Sequence, residues 1–322
     1  MNVGAQPVSA MSAAPIVVGF DGSPAAVAAV RWAASEASRR NLRLQVVHAY
    51  LPPSLLGAMA IAGAAQSVEL LRADAAAVLA EGVAEAERKA PGVLVSGQVQ
   101  GGAASRVLRD KADKAAMLVV GVGRAHLIPG GVLGTVTARL AGTVPCPFIA
   151  VPRPVPAATP PADVPEGVPE PDAMRTDCRR PVLVGLDGST ASDQALAFAF
   201  DMADNRKVPL LAVRVWDDMA GEAAGLGQLL DRDAVDRRQA DELSGQLVGW
   251  ADKYPDVELI PSIRRGHSVG ALVRSGSTAR EPGLIVVGSR GRGGFTGMIL
   301  GSTGQGVIAH ARCPVAVVHR PH

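Results

Sequence analysis

The chain of 322 residues repeats itself once, and the repeat spans nearly all of it. Ile16-Val-Val-Gly-Phe-Asp21-Gly-Ser23 returns as Val182-Leu-Val-Gly-Leu-Asp187-Gly-Ser189, an offset of 166. Gly121, Gly134 and Thr135 return as Gly288, Gly301 and Ser302, and Cys146-Pro147 returns as Cys313-Pro314, all at an offset of 167. Ordered matches at so long a period mean two similar domains rather than a solenoid of short repeats. The length agrees, at roughly 150 residues per domain. From Pro152 to Pro171 there are eight prolines and few large apolar residues, the composition of a stiff, solvated linker. The expected organisation is a disordered tail over 1–13, one domain over 14–153, a linker over 154–178 and a second domain over 179–322.

Within each half, short apolar β-branched runs alternate with helical stretches. In the first half strands are expected at Ile16–Phe20, Leu42–Ala49, Val93–Gln100, Met117–Gly121 and Phe148–Val151. Helices are expected at Ala25–Arg39, Val68–Lys89, Ser105–Ala112 and Thr135–Ala141. Ser23-Pro24 supplies an N-cap followed by proline at the first helical position. The second half repeats the pattern with strands Val182–Leu186, Leu210–Trp216, Glu258–Ile263, Leu284–Gly288 and Val315–His319. Its helices start near Thr190, Asp233, Ser268 and Ser302. Such alternation implies an α/β fold with a parallel sheet covered on both faces. Ligands of these sheets bind beyond the carboxyl ends of the strands.

Composition narrows the function. Lys plus Arg exceeds Asp plus Glu by only two, 32 against 30, which gives no basic field for nucleic acid and no polybasic membrane anchor. The apolar stretch Leu55–Ala65 is too short to span a bilayer, and Met1–Ala14 lacks the charged start of a signal peptide. A cytoplasmic location is the expectation. Cys146, Cys178 and Cys313 are odd in number and widely spaced, as reduced structural thiols are.

The residues that invite chemistry lie at strand ends. Asp21 and Asp187 each close the first strand of their half. Their local role would be to cap the next helix, but Ser23 and Ser189 can do that. The carboxylates could then serve ribose hydroxyls or a cation. After the fourth strand of the second half comes Gly288-Ser289-Arg290-Gly291, with further glycines at 293, 294, 297 and 301. Glycine leaves room for phosphate against the backbone. Ser302 and Thr303 open a helix whose amides and dipole favour an anion. Arg290 and Arg292 could balance phosphate charge or be ordinary surface arginines. In the first half Gly121, Gly134 and Thr135 remain, but Arg124 stands for Gly291, and His126 and Leu127 for Gly293 and Gly294. Arg124 could block close approach or reach a phosphate itself. No G-x-x-x-x-G-K-[ST] is present, and no G-x-G-x-x-G follows the first strand, which excludes a P-loop ATPase and argues against a dinucleotide dehydrogenase.

With these motifs the chain resembles a tandem universal stress protein of the ATP-binding branch. Gly288, Gly291, Gly301 and Ser302 match that branch's G-x2-G-x9-G-[ST]. Asp187 and Asp21 match its aspartate after the first strand, and Cys313-Pro314-Val315 and Cys146-Pro147-Phe148 match its entry to the last strand. The resemblance implies two Rossmann-like domains, each a five-stranded parallel sheet of order 3-2-1-4-5. It implies ATP or another adenine nucleotide as cofactor, with Mg2+ as a companion. Backbone near Val215, and at its counterpart Ala49, would meet adenine. Asp187, with Gly188 and Ser189, would lie by the ribose and phosphates, and Gly288 by the ribose. Gly291, Gly301 and Ser302 would carry the phosphates. Last strands commonly pair between such domains, so an intrachain pseudo-dimer is expected, with a homodimer as a further expectation.

Other features carry less. His48 lies near the adenine position but reads more simply as a hydrogen-bonded core histidine. Asp217, Asp218 and Glu222 read as a solvated loop rather than a metal site. Leu51–Ser67 could be a lid or a contact surface. Three functions follow: a nucleotide-binding regulatory protein, a slow ATPase or nucleotidyl transferase, and a structural interaction module.

Overall fold

The computed structural model describes residues 14–52, 64–123, 134–153, 180–216, 232–275, 282–291 and 300–319. In the first half these form β1 (Ile16–Gly19), α1 (Pro24–Arg40), β2 (Leu44–Tyr50), α2 (Ala64–Lys89), β3 (Val95–Gly101), α3 (Ala104–Ala112), β4 (Met117–Val122), α4 (Thr135–Leu140) and β5 (Phe148–Pro152). The second half gives β6 (Val182–Leu186), α5 (Thr190–Arg206), β7 (Leu210–Trp216), α6 (Arg232–Leu247), α7 (Trp250–Lys253), β8 (Leu259–Arg265), α8 (Ser268–Arg274), β9 (Leu284–Gly288), α9 (Ser302–His310) and β10 (Val315–Val318). The expected tail, the linker, Cys178, Arg124, His126, Leu127, Asp217, Asp218, Glu222, Gly293, Gly294 and most of the 51–67 segment lie outside the described residues.

Each half has strand order 3-2-1-4-5, as expected. The two halves are then joined into one sheet of order β3-β2-β1-β4-β5-β10-β9-β6-β7-β8. Pairing is parallel within each half, and β5 meets β10 antiparallel, with Phe148 opposite Val317 and Ala150 opposite Val315. Two strands that would otherwise be open edges thereby satisfy each other's backbone groups. The intrachain pseudo-dimer is therefore present. Because the seam is antiparallel, the carboxyl ends of the two sets of strands point to opposite edges of the sheet.

Departures from the sequence reading have local causes. The second strand starts at Leu44 rather than Leu42 because α1 ends in a left-handed cap. Asn41 has φ 52°, and Leu42 N–H donates to Ala37 O at 2.9 Å. The short helix α7 was not expected. It follows Gly249, at φ 80°, and stacks Trp250 and Tyr254 on Phe200 at ring separations of 5.1 and 5.2 Å. Aromatic stacking fixes a helix too short to register as a periodic pattern.

Two apolar layers cover the sheet. One packs Val18, Phe20, Ala29 and Ala33 and continues across the seam to Ile149, Ala316, Leu196 and Phe200. The other holds Val17, Leu118, Phe148, Leu183 and Val317. Cys146 is in this second layer, where burial pushes its thiol up to about 12, so it stays protonated and inert. No helix of the described residues is long and apolar enough to cross a membrane.

Across the seam, α1 and α5 meet around one fully buried carboxylate. Glu36 accepts from Arg40 Nε at 2.6 Å, from Arg206 Nη2 at 3.0 Å and from Arg39 Nη1 at 3.2 Å. Arg40 also reaches Asp201 at 2.6 Å, and the Arg206 guanidinium lies 5.3 Å from the centre of the Trp32 ring. Burial pushes the Glu36 carboxyl up, but Arg206, Arg40 and Arg39 together outweigh it and hold it below the usual carboxylate value of 4.5. A carboxylate depressed in the fold adds stability above its unfolded pKa, and that stability fades as pH falls through the folded one. Glu36→Gln should cost on the order of 3–5 kcal/mol at pH 7, by leaving buried guanidiniums uncompensated. Denaturant titrations from pH 7 down to pH 3 should show the gap between wild type and variant closing below about pH 4.5.

Candidate functional site

At the carboxyl end of β6 the chain turns through Asp187-Gly188-Ser189 into α5. Gly188 adopts φ 73°, which favours glycine. Asp187 Oδ1 accepts from Ser189 N–H at 2.9 Å, and Ser189 Oγ accepts from Ser192 N–H at 3.2 Å as the N-cap of α5. The first half copies this arrangement. Asp21 Oδ1 accepts from Ser23 N–H at 3.0 Å, Ser23 Oγ accepts from Ala26 N–H at 3.1 Å, and Gly22 has φ 79°. The serines cap as the sequence implied. The aspartates are nonetheless engaged, each holding its own turn through one oxygen.

The glycines of the loop fall into separate roles. At Gly288 an added Cβ would come 2.9 Å from Ala191 C, and at Gly121 it would come 2.3 Å from Ala25 C. These two glycines let the first turn of α5, or of α1, pack directly on the strand end, a structural need that the sequence reading had not separated from ligand contact. Gly291 approaches the aspartate, since a Cβ there would lie 2.7 Å from Asp187 Oδ2. Gly301 is different. Its φ of −66° suits any residue, and an added Cβ would meet its nearest neighbours only at 3.6–3.9 Å. Its counterpart Gly134 has φ −54°, and a Cβ there would find nothing within 4 Å. Neither glycine is required by the described fold.

Gly301 N–H donates to Ser289 O at 3.0 Å, which brings the start of α9 against the end of β9. Gly301 is the N-cap of α9 and no side chain caps it, so the amides of Ser302, Thr303 and Gly304 lack partners within the helix. Ser302 and Arg290 are exposed and Thr303 is half-buried. Asp187, Gly291 and the start of α9 thus converge at one sheet edge. In the first half Asp21 is exposed, and Gly134 and Thr135 open a six-residue helix. Val215 and Ala49 are half-buried near the ends of β7 and β2, paired with Arg264 and Gln100. His48 is half-buried with Nδ1 2.7 Å from Phe20 O, in keeping with the simpler reading of that residue.

Beside this site lies a feature that sequence reasoning missed. A cavity of about 450 Å3 opens between α5 and α6, lined by Gly188, Asp193, Arg214, Arg238, Glu242 and Gln246. Arg214 is 3% exposed, on the sheet face that otherwise carries Leu210 and Ala212. It donates to Gln239 Oε1 at 2.6 Å and to Glu242. The signal was available as period two: positions 210, 212 and 214 share an inward face, and the third carries a charge. Among the described residues no group of three or more His, Cys, Asp or Glu side chains converges as a metal site.

The universal stress protein family model matches residues 13–152 and again 179–319. A universal stress protein of Mycobacterium tuberculosis is 35% identical over 321 residues, covering 96% of this chain and 97% of that one. A second from the same species is 34% identical over 313 residues, covering 95% and 97%. The crystal structure of a universal stress protein from Archaeoglobus fulgidus superposes with a TM-score of 0.65 at 20% identity, covering 95% of this chain and 98% of that one. At that identity the likeness speaks for the fold.

The packing role of Gly288 has a direct consequence. Gly288→Ala should push α5 off the strand end and destabilise the protein by about 1–3 kcal/mol, read as a lower midpoint of thermal or urea unfolding.

Proposed function

The chain belongs to the universal stress protein family, with one family domain in each half, and we propose on that premise that it is a regulatory protein whose second domain binds an adenine nucleotide, ATP or AMP. In this reading Asp187, Gly188 and Ser189 face the ribose and phosphates, and backbone near Val215 meets the base. Gly291, Gly301, Ser302 and Thr303 carry the phosphates, with Arg290 balancing their charge. Nucleotide occupancy would set the shape the chain shows its partners, in the family's stress-response role. The first domain, with Asp21, Ala49, Gly121, Arg124, Gly134 and Thr135, is the weaker counterpart.

One observation carries the reading. Gly301 is a glycine that the described fold does not need, set beside three helix amides that no side chain caps. A phosphate supplies both reasons, because it needs the room and satisfies the amides. Mg2+ fits the same place. It binds through one or two carboxylates together with phosphate oxygens, and Asp187 is the carboxylate at hand.

Gly301→Asp separates fold from function because the two effects have opposite signs. An aspartate at the N-cap satisfies the α9 amides and should leave the ligand-free protein as stable or more stable, by up to about 1 kcal/mol. The same carboxylate occupies the phosphate position, and ATP affinity by isothermal titration should fall by about a hundredfold or more. Wild type should gain about 2.7 kcal/mol of stability at ATP concentrations a hundred times Kd. Unchanged ATP affinity in the variant would refute the assigned loop. Absence of nucleotide from the purified, denatured protein, together with no ATP-induced rise in melting temperature, would refute nucleotide binding.

A further inference from the structure

The sheet ends in β3 on one side and β8 on the other, and the two ends are built differently. Leu44 N–H donates to Leu94 O at 2.9 Å, and Gly102 N–H donates to Tyr50 O at 2.8 Å. Alternate residues of a parallel ladder turn both backbone groups to the same neighbour, so Ser96, Gln98 and Gln100 face β2. Val95, Gly97, Val99 and Gly101 then direct N–H and C=O outward, where no described strand lies. The same reasoning applies to β8. Leu210 N–H donates to Glu258 O at 2.8 Å and Gly266 N–H to Trp216 O at 2.9 Å, so Leu259, Pro261, Ile263 and Arg265 face outward. Pro261 therefore removes a donor from the middle of that outer edge.

The counterpart of Pro261 is Gly97. Gly97 stands opposite Val46 as Pro261 stands opposite Ala212, and Val46 and Ala212 are related by the offset of 166. Around β8, from Tyr254 to Val269, the chain carries Asp256, Glu258, Arg264 and Arg265. Around β3, from Ala90 to Ser105, it carries no Asp, Glu, Lys or Arg. Proline and charge are common means of keeping an edge strand from pairing with another chain. One end of the sheet has both and the other has neither. We propose that β3 is a dimerisation edge, pairing antiparallel with β3 of a second copy about a twofold axis through Gln98. Self-complementarity argues for that occupant. Gln98 is the midpoint of β3, and an axis there sets Gly97 against Val99 and Val95 against Gly101, so that all four outward residues both donate and accept. The chain already joins duplicated strands in this way, because β5 and β10 are each other's counterparts and pair antiparallel. The exposed Leu94 would come opposite Gly102, which has no side chain to obstruct it. A net charge of only +2 leaves little repulsion between copies. Because the seam occupies β5 and β10, the last strands are not free to make a homodimer, and β3 is the unguarded edge that remains. This surface is independent of the nucleotide reading.

Sedimentation velocity of the full chain over a concentration series should show a reversible monomer–dimer equilibrium. Gly97→Pro installs the second half's residue, removes one outward donor from each copy and should raise the dimer dissociation constant by more than about tenfold. Gln98→Lys sets two like charges against each other across the axis and should weaken the dimer in the same direction. A Cβ at Gly97 would come 3.0 Å from Val83 Cγ2, so melting temperatures report whether Gly97→Pro folds, and Gln98→Lys carries the test alone if it does not. Gln98→Cys places two thiols in a pair that exchanges no backbone hydrogen bonds, where Cα atoms lie about 4.5 Å apart and within reach of a disulfide. Copper phenanthroline should cross-link that variant into a dimer on a non-reducing gel, beyond any cross-link that wild type shows. A wild-type chain that stays monomeric at every concentration overturns the proposal, including the case in which another protein's strand takes the edge. So does a dimer that the folded variants leave intact, or a dimeric Gln98→Cys that does not cross-link.

Discussion

The antiparallel contact of β5 with β10 is the constraint on which the rest of the molecule depends. Each half is a five-stranded sheet whose last strand would be an unpaired edge, and the pairing removes both edges at once. It also brings α1 and α5 face to face over the seam, where Glu36 has no exposure and is held by three guanidiniums. A charge so buried is stable only while its partners stay in place, so the cluster penalises any sliding of one half on the other. The apolar layer that runs unbroken from Val18 to Phe200 supplies the association energy, and the charges supply its register.

The same geometry decides where ligands can meet the chain. Sites form at the carboxyl ends of parallel strands, and an antiparallel seam sends those ends to opposite edges. The two candidate sites are therefore separated by the width of the sheet and cannot share a ligand. Each opens at the N-terminus of a helix, α1 or α5, that also lines the seam. A helix fixed along its length by the Glu36 cluster presents its first turn rigidly. That rigidity suits Asp187 and Ser189, whose hydrogen bonds already preset the turn before any ligand arrives.

Much of this was legible in the sequence because duplication writes the same pattern twice. The division into two domains, the serine caps and the position of the aspartates follow from runs that recur at one offset, whereas the strand order and the pseudo-dimer came from the family resemblance that those runs carry. What was not legible depends on which way a side chain faces. Glycines 121, 134, 288 and 301 look alike in the motif. Yet Gly121 and Gly288 are glycine because a helix backbone lies against them, whereas Gly134 and Gly301 have no such neighbour. Glu36 and Arg214 were passed over because Glu36 sits among the charges at the end of α1 and Arg214 is a lone charge in an apolar strand. Composition treats such a charge as surface, while the 3.6-residue and two-residue periods place both indoors. Their partners come from distant segments, Arg206 for Glu36 and Gln239 for Arg214, and no local pattern announces them.

The two buried charges also show how a duplicated fold becomes asymmetric. At the offset of 166, Glu36 corresponds to Met202 and His48 to Arg214. Each half thus carries a buried ionisable residue where the other carries a weaker or apolar one. At the seam Glu36 meets Arg39 and Arg40 of its own helix and Arg206 of α5, while Met202 accepts from Arg40 Nη2 through its sulfur at 2.9 Å. Divergence at that position leaves one buried carboxylate, with a thioether as its counterpart. Positions 48 and 214 do not meet across the seam, and each has partners in its own half. Arg214 reaches across to Gln239 and Glu242 of α6, whereas His48 turns back to Phe20 O at the end of β1.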